Sequence, residues 1–144
     1  MEEELGDVLM CKTLFCLLFV TIPQSDFHVC KEDPRLIKSI IQVESRGYAR
    51  AVSRSAGAVG LMQVMPKSFR RFCKHRDPVC SALLLYPQLN RAEGCRILWR
   101  WKRRSRGNLR RALQAYNCGN RGLRDECGVG YANNVLRRVR RFYE

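Results

Sequence analysis

The sequence predicts a mainly α-helical single domain, residues 26–144, behind an N-terminal apolar segment, residues 1–25. Three observations carry that expectation. Beyond Asp26 the apolar residues recur every three or four positions and nowhere alternate over the length of a strand. Prolines and capping residues precede these stretches, and glycines follow them. A chain of 144 residues suffices for one hydrophobic core but not for two.

The first element in order is the apolar run Thr13–Ile22 (TLFCLLFVTI). It falls short of the roughly 20 residues a membrane span needs and matches the apolar centre of an export signal. Its flank is acidic, with Glu2, Glu3, Glu4 and Asp7 against Lys12, and no small-x-small cleavage site follows. An uncleaved anchor and a buried strand or helix therefore stay open beside a cleaved signal.

Asp33 is placed to cap a helix whose first position is Pro34, where a missing N–H does no harm. Leu36, Ile37, Ile40, Ile41 and Val43 follow, and Gly47 is a natural stop. Glu44 shares the stripe of Ile37, Ile40 and Ile41, so it lies beside the core-facing side of this helix. Tyr48–Gly60 reads as a loop, and Leu61–Met65 as a short segment before Pro66. That proline is expected to start a helix running through Phe69 and Phe72. Asp77–Pro87 reads as irregular or a broken helix, Leu89–Trp101 as a longer one. Asn108 caps a helix that ends near Gly119, Cys118–Gly130 reads as a loop, and Tyr131, Val135, Val139 and Phe142 line the last helix.

Charge and cysteine set the chain apart. The net charge is +14, and from Asp26 onward 26 Lys and Arg face only 9 Asp and Glu. Arg103, Arg104 and Arg106 form one dense run, and Arg137, Arg138, Arg140 and Arg141 another. Such a body gathers around a polyanion, whether nucleic acid, an anionic envelope or a charged glycopolymer, unless the runs are only solvated helix faces. Eight cysteines include two in the apolar leader. The other six, Cys30, Cys73, Cys80, Cys95, Cys118 and Cys127, lack a C-x-x-C pair, and His28 and His75 are not spaced as zinc partners. Three disulfides in an oxidising compartment outrank a metal, with Cys73–Cys80 and Cys118–Cys127 nearest in sequence and Cys30–Cys95 remaining.

Glu44 is the residue that invites chemistry. An apolar setting raises the pKa of a carboxyl group toward the range of a general acid, and glycosidic cleavage needs such an acid. On its own, Glu44 reads more readily as a glutamate satisfied by backbone or an arginine than as an acid catalyst. The surrounding motifs change that. Glu44–Ser45, then A-G-A-V-G-L-M-Q-V-M-P at Ala56–Pro66, then A-L-Q-A-Y-N-C-G at Ala112–Gly119 occur in an order that resembles the soluble lytic transglycosylase domain, glycoside hydrolase family 23. Asn90 and Gly94 fit an asparagine and a glycine on that family's middle helix. The resemblance runs from about Pro34 to Phe142.

The resemblance implies a lysozyme-like fold, no cofactor, and cleavage of peptidoglycan glycan strands between N-acetylmuramic acid and N-acetylglucosamine. Glu44, matching the family's sole essential carboxylate, would protonate the leaving oxygen. It would then take the proton of the muramoyl C6 hydroxyl, leaving a 1,6-anhydro end. Gln63 and Asn117 would bind the sugar, Tyr116 would support Glu44 or substrate, and Ser45 would orient the glutamate or bind the muramoyl group. Met62 would line the cleft or core, and Tyr131 matches the tyrosine of the last helix. Two departures stand out. The loop from Ser45 to Gly60 is one residue longer than the commonest spacing. Many members carry glutamate-threonine shortly before that last tyrosine, where this chain has Cys127 and Gly128, so a support of the site is either missing or rebuilt by a cysteine bridge.

The rivals are a lysozyme-type muramidase that hydrolyses the same bond and a non-catalytic wall-binding protein. A nucleic-acid-binding module has only the charge in its favour, and no specific nucleic-acid partner is expected. The expected setting is an exported protein of the periplasm or cell envelope, anchored or virion-associated, with phage or secretion and conjugation machinery as partners.

Overall fold

The computed structural model describes residues 30–69 and 78–144. The apolar leader, Phe72, Cys73, His75 and Asp77 lie outside them. The described chain is helical: α1 Pro34–Glu44, α2 Pro78–Leu83, α3 Pro87–Arg104, α4 Leu109–Cys118, α5 Arg121–Arg124 and α6 Val129–Arg140. The extended pairing among the described residues amounts to two isolated antiparallel bridges, Val52 with Val59 and Val59 with Val64. No helix among them is long and apolar enough to cross a membrane.

Local chemistry explains the boundaries. The Asp33 carboxylate accepts the Arg35 N–H at 2.8 Å, with Pro34 in the first turn. Asn108 caps α4 through the Arg111 N–H at 3.0 Å. At Pro66 the expected helix is a single 3-10 turn, Pro66–Ser68, that already ends at Phe69. Phe69 is 1 % exposed, so burial of its ring in the core takes over where the helix was expected to continue. The expected loop 118–130 contains α5, and Phe142 lies past the end of α6 with 43 % of its surface exposed. There Lys38 lies 5.3 Å from its ring and Arg35 4.2 Å from that of Tyr143, so the C-terminus is laid on the outer face of α1 by cation–π contacts.

The core is one cluster. Leu36, Ile37 and Ile40 of α1 meet Leu98 and Trp101 of α3, Ala112 and Leu113 of α4, and Ala132 and Val135 of α6. Two disulfides tie its edges: Cys30–Cys95 pins the start of the described chain to α3, and Cys118–Cys127 joins the end of α4 to the start of α6. Closing loops of 65 and 9 residues constrains the unfolded chain by about 4 and about 2.5 kcal/mol respectively. Cys80 is also disulfide-bonded; its expected partner, Cys73, lies outside the described residues. The basic end of α3 is organised around indoles, with Arg103 4.8 Å from the Trp99 ring and Arg104 5.0 Å from that of Trp101.

Candidate active site

The site is built around a hairpin inserted among helices. Val59 and Val64 exchange backbone hydrogen bonds at 3.0 and 2.9 Å, leaving Gly60–Gln63 as the turn. A turn in such a setting must find partners for its peptide groups, and three other elements supply them. Asn90, fully buried on α3, donates to the Val59 and Leu84 carbonyls at 2.7 and 2.8 Å and accepts the Met62 N–H at 2.8 Å. Ser45 Oγ, at the end of α1, lies 2.9 Å from the Leu61 carbonyl. Tyr116 on α4 donates its hydroxyl to the Met62 carbonyl at 2.8 Å. Gly60 has φ +80°, and a Cβ there would stand 2.1 Å from the Asn90 amide, so only glycine lets the clamp close. Gly94 leaves room, one turn further along α3, for Met62, which is completely buried.

Of the sequence-predicted site residues, Ser45, Met62 and Tyr116 are thus committed to holding the turn. Met62 takes the core, one of the two places expected for it. Gln63 has φ +47°, an uncommon conformation outside glycine, and its amide donates to the Ala51 and Gly60 carbonyls at 3.2 and 3.0 Å. Both of its N–H donors are used, and its carbonyl oxygen keeps accepting capacity. Asn117 is exposed beside Tyr116.

Glu44 closes α1 and is partly buried. Desolvation pushes its carboxyl up from the ordinary 4.5 to about 7, although the Tyr131 hydroxyl pulls the other way. That hydroxyl is buried and interacts with Glu44 without reaching the geometry of a formed hydrogen bond. Tyr131 stacks on Tyr116, ring centroids 6.4 Å apart and 10° from parallel. Burial and then the Glu44 charge raise the pKa of both phenols, which therefore stay protonated donors.

The other described acids have different employment. Glu93 is buried and takes Arg96 on both oxygens, Nε at 2.7 Å. Glu32 pairs with Lys102 at 2.7 Å, Asp33 caps α1, and Asp125 accepts the Cys127 N–H at 3.0 Å. Glu126 and Glu144 are exposed. No group of three or more His, Cys, Asp or Glu that could hold a metal occurs among the described residues.

A half-buried glutamate next to a clamped Gly-Leu-Met-Gln turn and a tyrosine pair decides little alone, but the family model of the transglycosylase SLT domain matches residues 29–134. The chain belongs to this family. As an SLT domain it is a transglycosylase-type protein acting on peptidoglycan, and its helical architecture agrees with the lysozyme-like expectation. In this SLT domain the weak sequence signal at Asn90 marks the residue on which the turn depends most. What pattern reading missed is that Asn90 works on backbone groups, which leave no trace in residue types.

Replacing Asn90 with Leu leaves the Met62 N–H and the Leu84 carbonyl without partners, whereas the Val59 carbonyl keeps Val64. Urea denaturation of Asn90→Leu should show a loss of about 3 kcal/mol or more. Glu44 gives a pH signature. Its folded-state pKa lies above the unfolded one, so its contribution to stability is intact below about 4.5 and is lost as pH rises through about 7. Glu44→Gln should therefore stabilise the protein at about pH 8, by up to about 3 kcal/mol, and by much less at about pH 4. Thermal melts of both proteins at the two pH values measure the difference.

Proposed function

We propose that this SLT domain is a lytic transglycosylase that cleaves the bond between N-acetylmuramic acid and N-acetylglucosamine, with Glu44 as both acid and base. The observation that carries the reading is a carboxyl group raised to about 7 while every other described acid is either committed to a partner or exposed. Near neutral pH such a group is present in both protonation states, which suits one side chain that first gives a proton and then takes one. It protonates the leaving oxygen, and the resulting carboxylate removes the proton of the muramoyl C6 hydroxyl as that oxygen closes on C1. The sugar supplies its own nucleophile, so a second carboxylate to activate water is not needed. The free carbonyl of Gln63 and the exposed amide of Asn117 are suited to the N-acetyl and hydroxyl groups of the glycan. A muramidase would need its water positioned, often by a second carboxylate, and among the described residues the other acids are paired or exposed; a mere wall binder would have no use for a desolvated glutamate.

The same reading places the protein in an exported setting, with its basic surface on anionic wall polymers. The end of α3 suits that role. Arg100 there is held below its ordinary pKa by burial, then by Arg96, with Glu93 opposing and Arg104 adding to the effect, which marks cations crowded together.

Glu44→Gln should fold and lose cleavage of purified sacculi by at least about a thousandfold, because the amide can neither give nor take the proton. Wild-type products should carry 1,6-anhydromuramoyl ends by mass analysis. Predominantly reducing muramic acid ends would favour the muramidase, and an active Glu44→Gln would remove Glu44 from the mechanism. Adsorption to sacculi should weaken as salt rises, since screening shortens the attraction to about 8 Å at physiological ionic strength. The triple reversal Arg103→Glu, Arg104→Glu, Arg106→Glu should lower adsorption and leave turnover of a short soluble glycan unchanged.

A further inference from the structure

The chain that leaves α1 is fastened to the site at both ends. At one end Ser45 Oγ, next to Glu44, lies 2.9 Å from the Leu61 carbonyl. At the other the Ala51 carbonyl accepts the Gly60 N–H at 2.7 Å and the Gln63 amide at 3.2 Å. Between them the backbone turns tightly, with the Tyr48 N–H on the Ser45 carbonyl at 3.0 Å and the Ala51 N–H on that of Tyr48 at 3.1 Å. Residues 46–50 therefore bridge the acid and the amide whose carbonyl is suited to the sugar. Their long side chains, Arg46, Tyr48 and Arg50, are all exposed.

The charge on this bridge has one sign. From Ser45 to Phe69 the chain holds no acid. The ion pairs among the described residues go to Arg35, Arg96, Lys102 and Arg121, and leave Arg46 and Arg50 unpaired. Arg46 moreover has φ +55°, a conformation that glycine takes freely and arginine does not. The fold draws no ion pair from a guanidinium there, so a use for it has to be sought in the bound strand.

We propose that Arg46 and Arg50 form a recognition rim for a carboxylate carried on the lactyl arm of the muramoyl unit. This rests on reading the chain as a muramoyl-cleaving enzyme, and it names the class of strand the site prefers. In that substrate the N-acetylglucosamine unit is neutral. The negative charge hangs from the muramoyl unit, either as the free lactyl carboxylate or on a stem peptide joined to it. Glu44 works at C1 of that same unit, so the charged arm leaves the cleft close to the acid, where the two guanidiniums stand. A guanidinium meets a carboxylate with paired N–H donors, and at an exposed rim it adds selectivity more than affinity. The rim is short and adjoins the acid, so its partner is a group of the bound strand, unlike the extended polymer that the end of α3 suits.

Short soluble glycans in three forms are the probes: with stem peptides, without them and so with free lactyl carboxylates, and with those carboxylates converted to neutral methylamides. Equilibrium binding is measured in the Glu44→Gln chain, where no turnover intervenes. At least one carboxylate form should bind about three- to tenfold more tightly than the methylamide, the range for two exposed charge contacts. A preference shared by the peptide-free form assigns the lactyl carboxylate, and one confined to the peptide-bearing form assigns the stem carboxylates. Adding Arg46→Gly and Arg50→Gln should bring the ratio to about one. Thermal melts should show no loss of stability, because glycine relieves the left-handed φ at position 46. Arg54→Gln removes the same charge from the exposed tip beyond Ala51 and should keep the ratio. Equal binding of all three glycans, a ratio untouched by the Arg46 and Arg50 substitutions, or an equal fall in Arg54→Gln overturns the proposal. Cleavage by Glu44→Gln strikes the reading of the acid instead; the ratio is then read from the KM of each glycan, so the two failures stay apart.

Discussion

Everything in the site depends on keeping a strained turn still. Gly60 and Gln63 both have positive φ, and Gln63 has no glycine's licence for it, so the Val59–Val64 hairpin is not a conformation the chain would hold alone. Asn90 holds it through two hydrogen bonds from inside the core, with a third to Leu84, and Ser45 and Tyr116 each take one carbonyl. Each clamp comes from a different helix, so the packing of α1, α3 and α4 sets the turn's place to within a hydrogen-bond length. Ser45 follows Glu44 directly, and its bond to Leu61 ties the acid to the same frame.

The second constraint is the opposition around Glu44. Burial favours the neutral acid and the Tyr131 hydroxyl favours the anion, and the balance near 7 follows from the two together. Neither partner is stable in isolation: a desolvated carboxylate and a buried phenol without a formed hydrogen bond each weaken the fold. The domain offsets this with disulfides at its edges and one continuous core.

Much of this was legible in the sequence. The stripe Ile37, Ile40, Ile41 with Glu44 was visible because a helix repeats its face, and the caps at Asp33 and Asn108 because they act within one turn. The pairings Cys30–Cys95 and Cys118–Cys127 agree with the structure. What could not be read has a common cause. The extent of the helix after Pro66 depended on where the Phe69 ring found a pocket, and α5 on how the chain packs over Gln114. The roles of Ser45 and Tyr116 as holders of carbonyls are tertiary facts that involve the partner's backbone. Asn90 was noticed only through the family pattern, since nothing in its neighbourhood distinguishes a core clamp from a surface amide.

The two ends of the stretch between Ser45 and Gly60 are independently fastened, one to α1 and the turn, the other to Asn90. Between them Ala51 reaches back to the turn, its carbonyl accepting from the Gly60 N–H at 2.7 Å and the Gln63 amide at 3.2 Å. Tyr48 and Val52 stand exposed between these anchors. For protein engineering the anchors mark out a permissive interval. Residues 54–56, the exposed tip beyond that contact, can be lengthened or exchanged while Ala51 keeps its hold on Gly60 and Gln63.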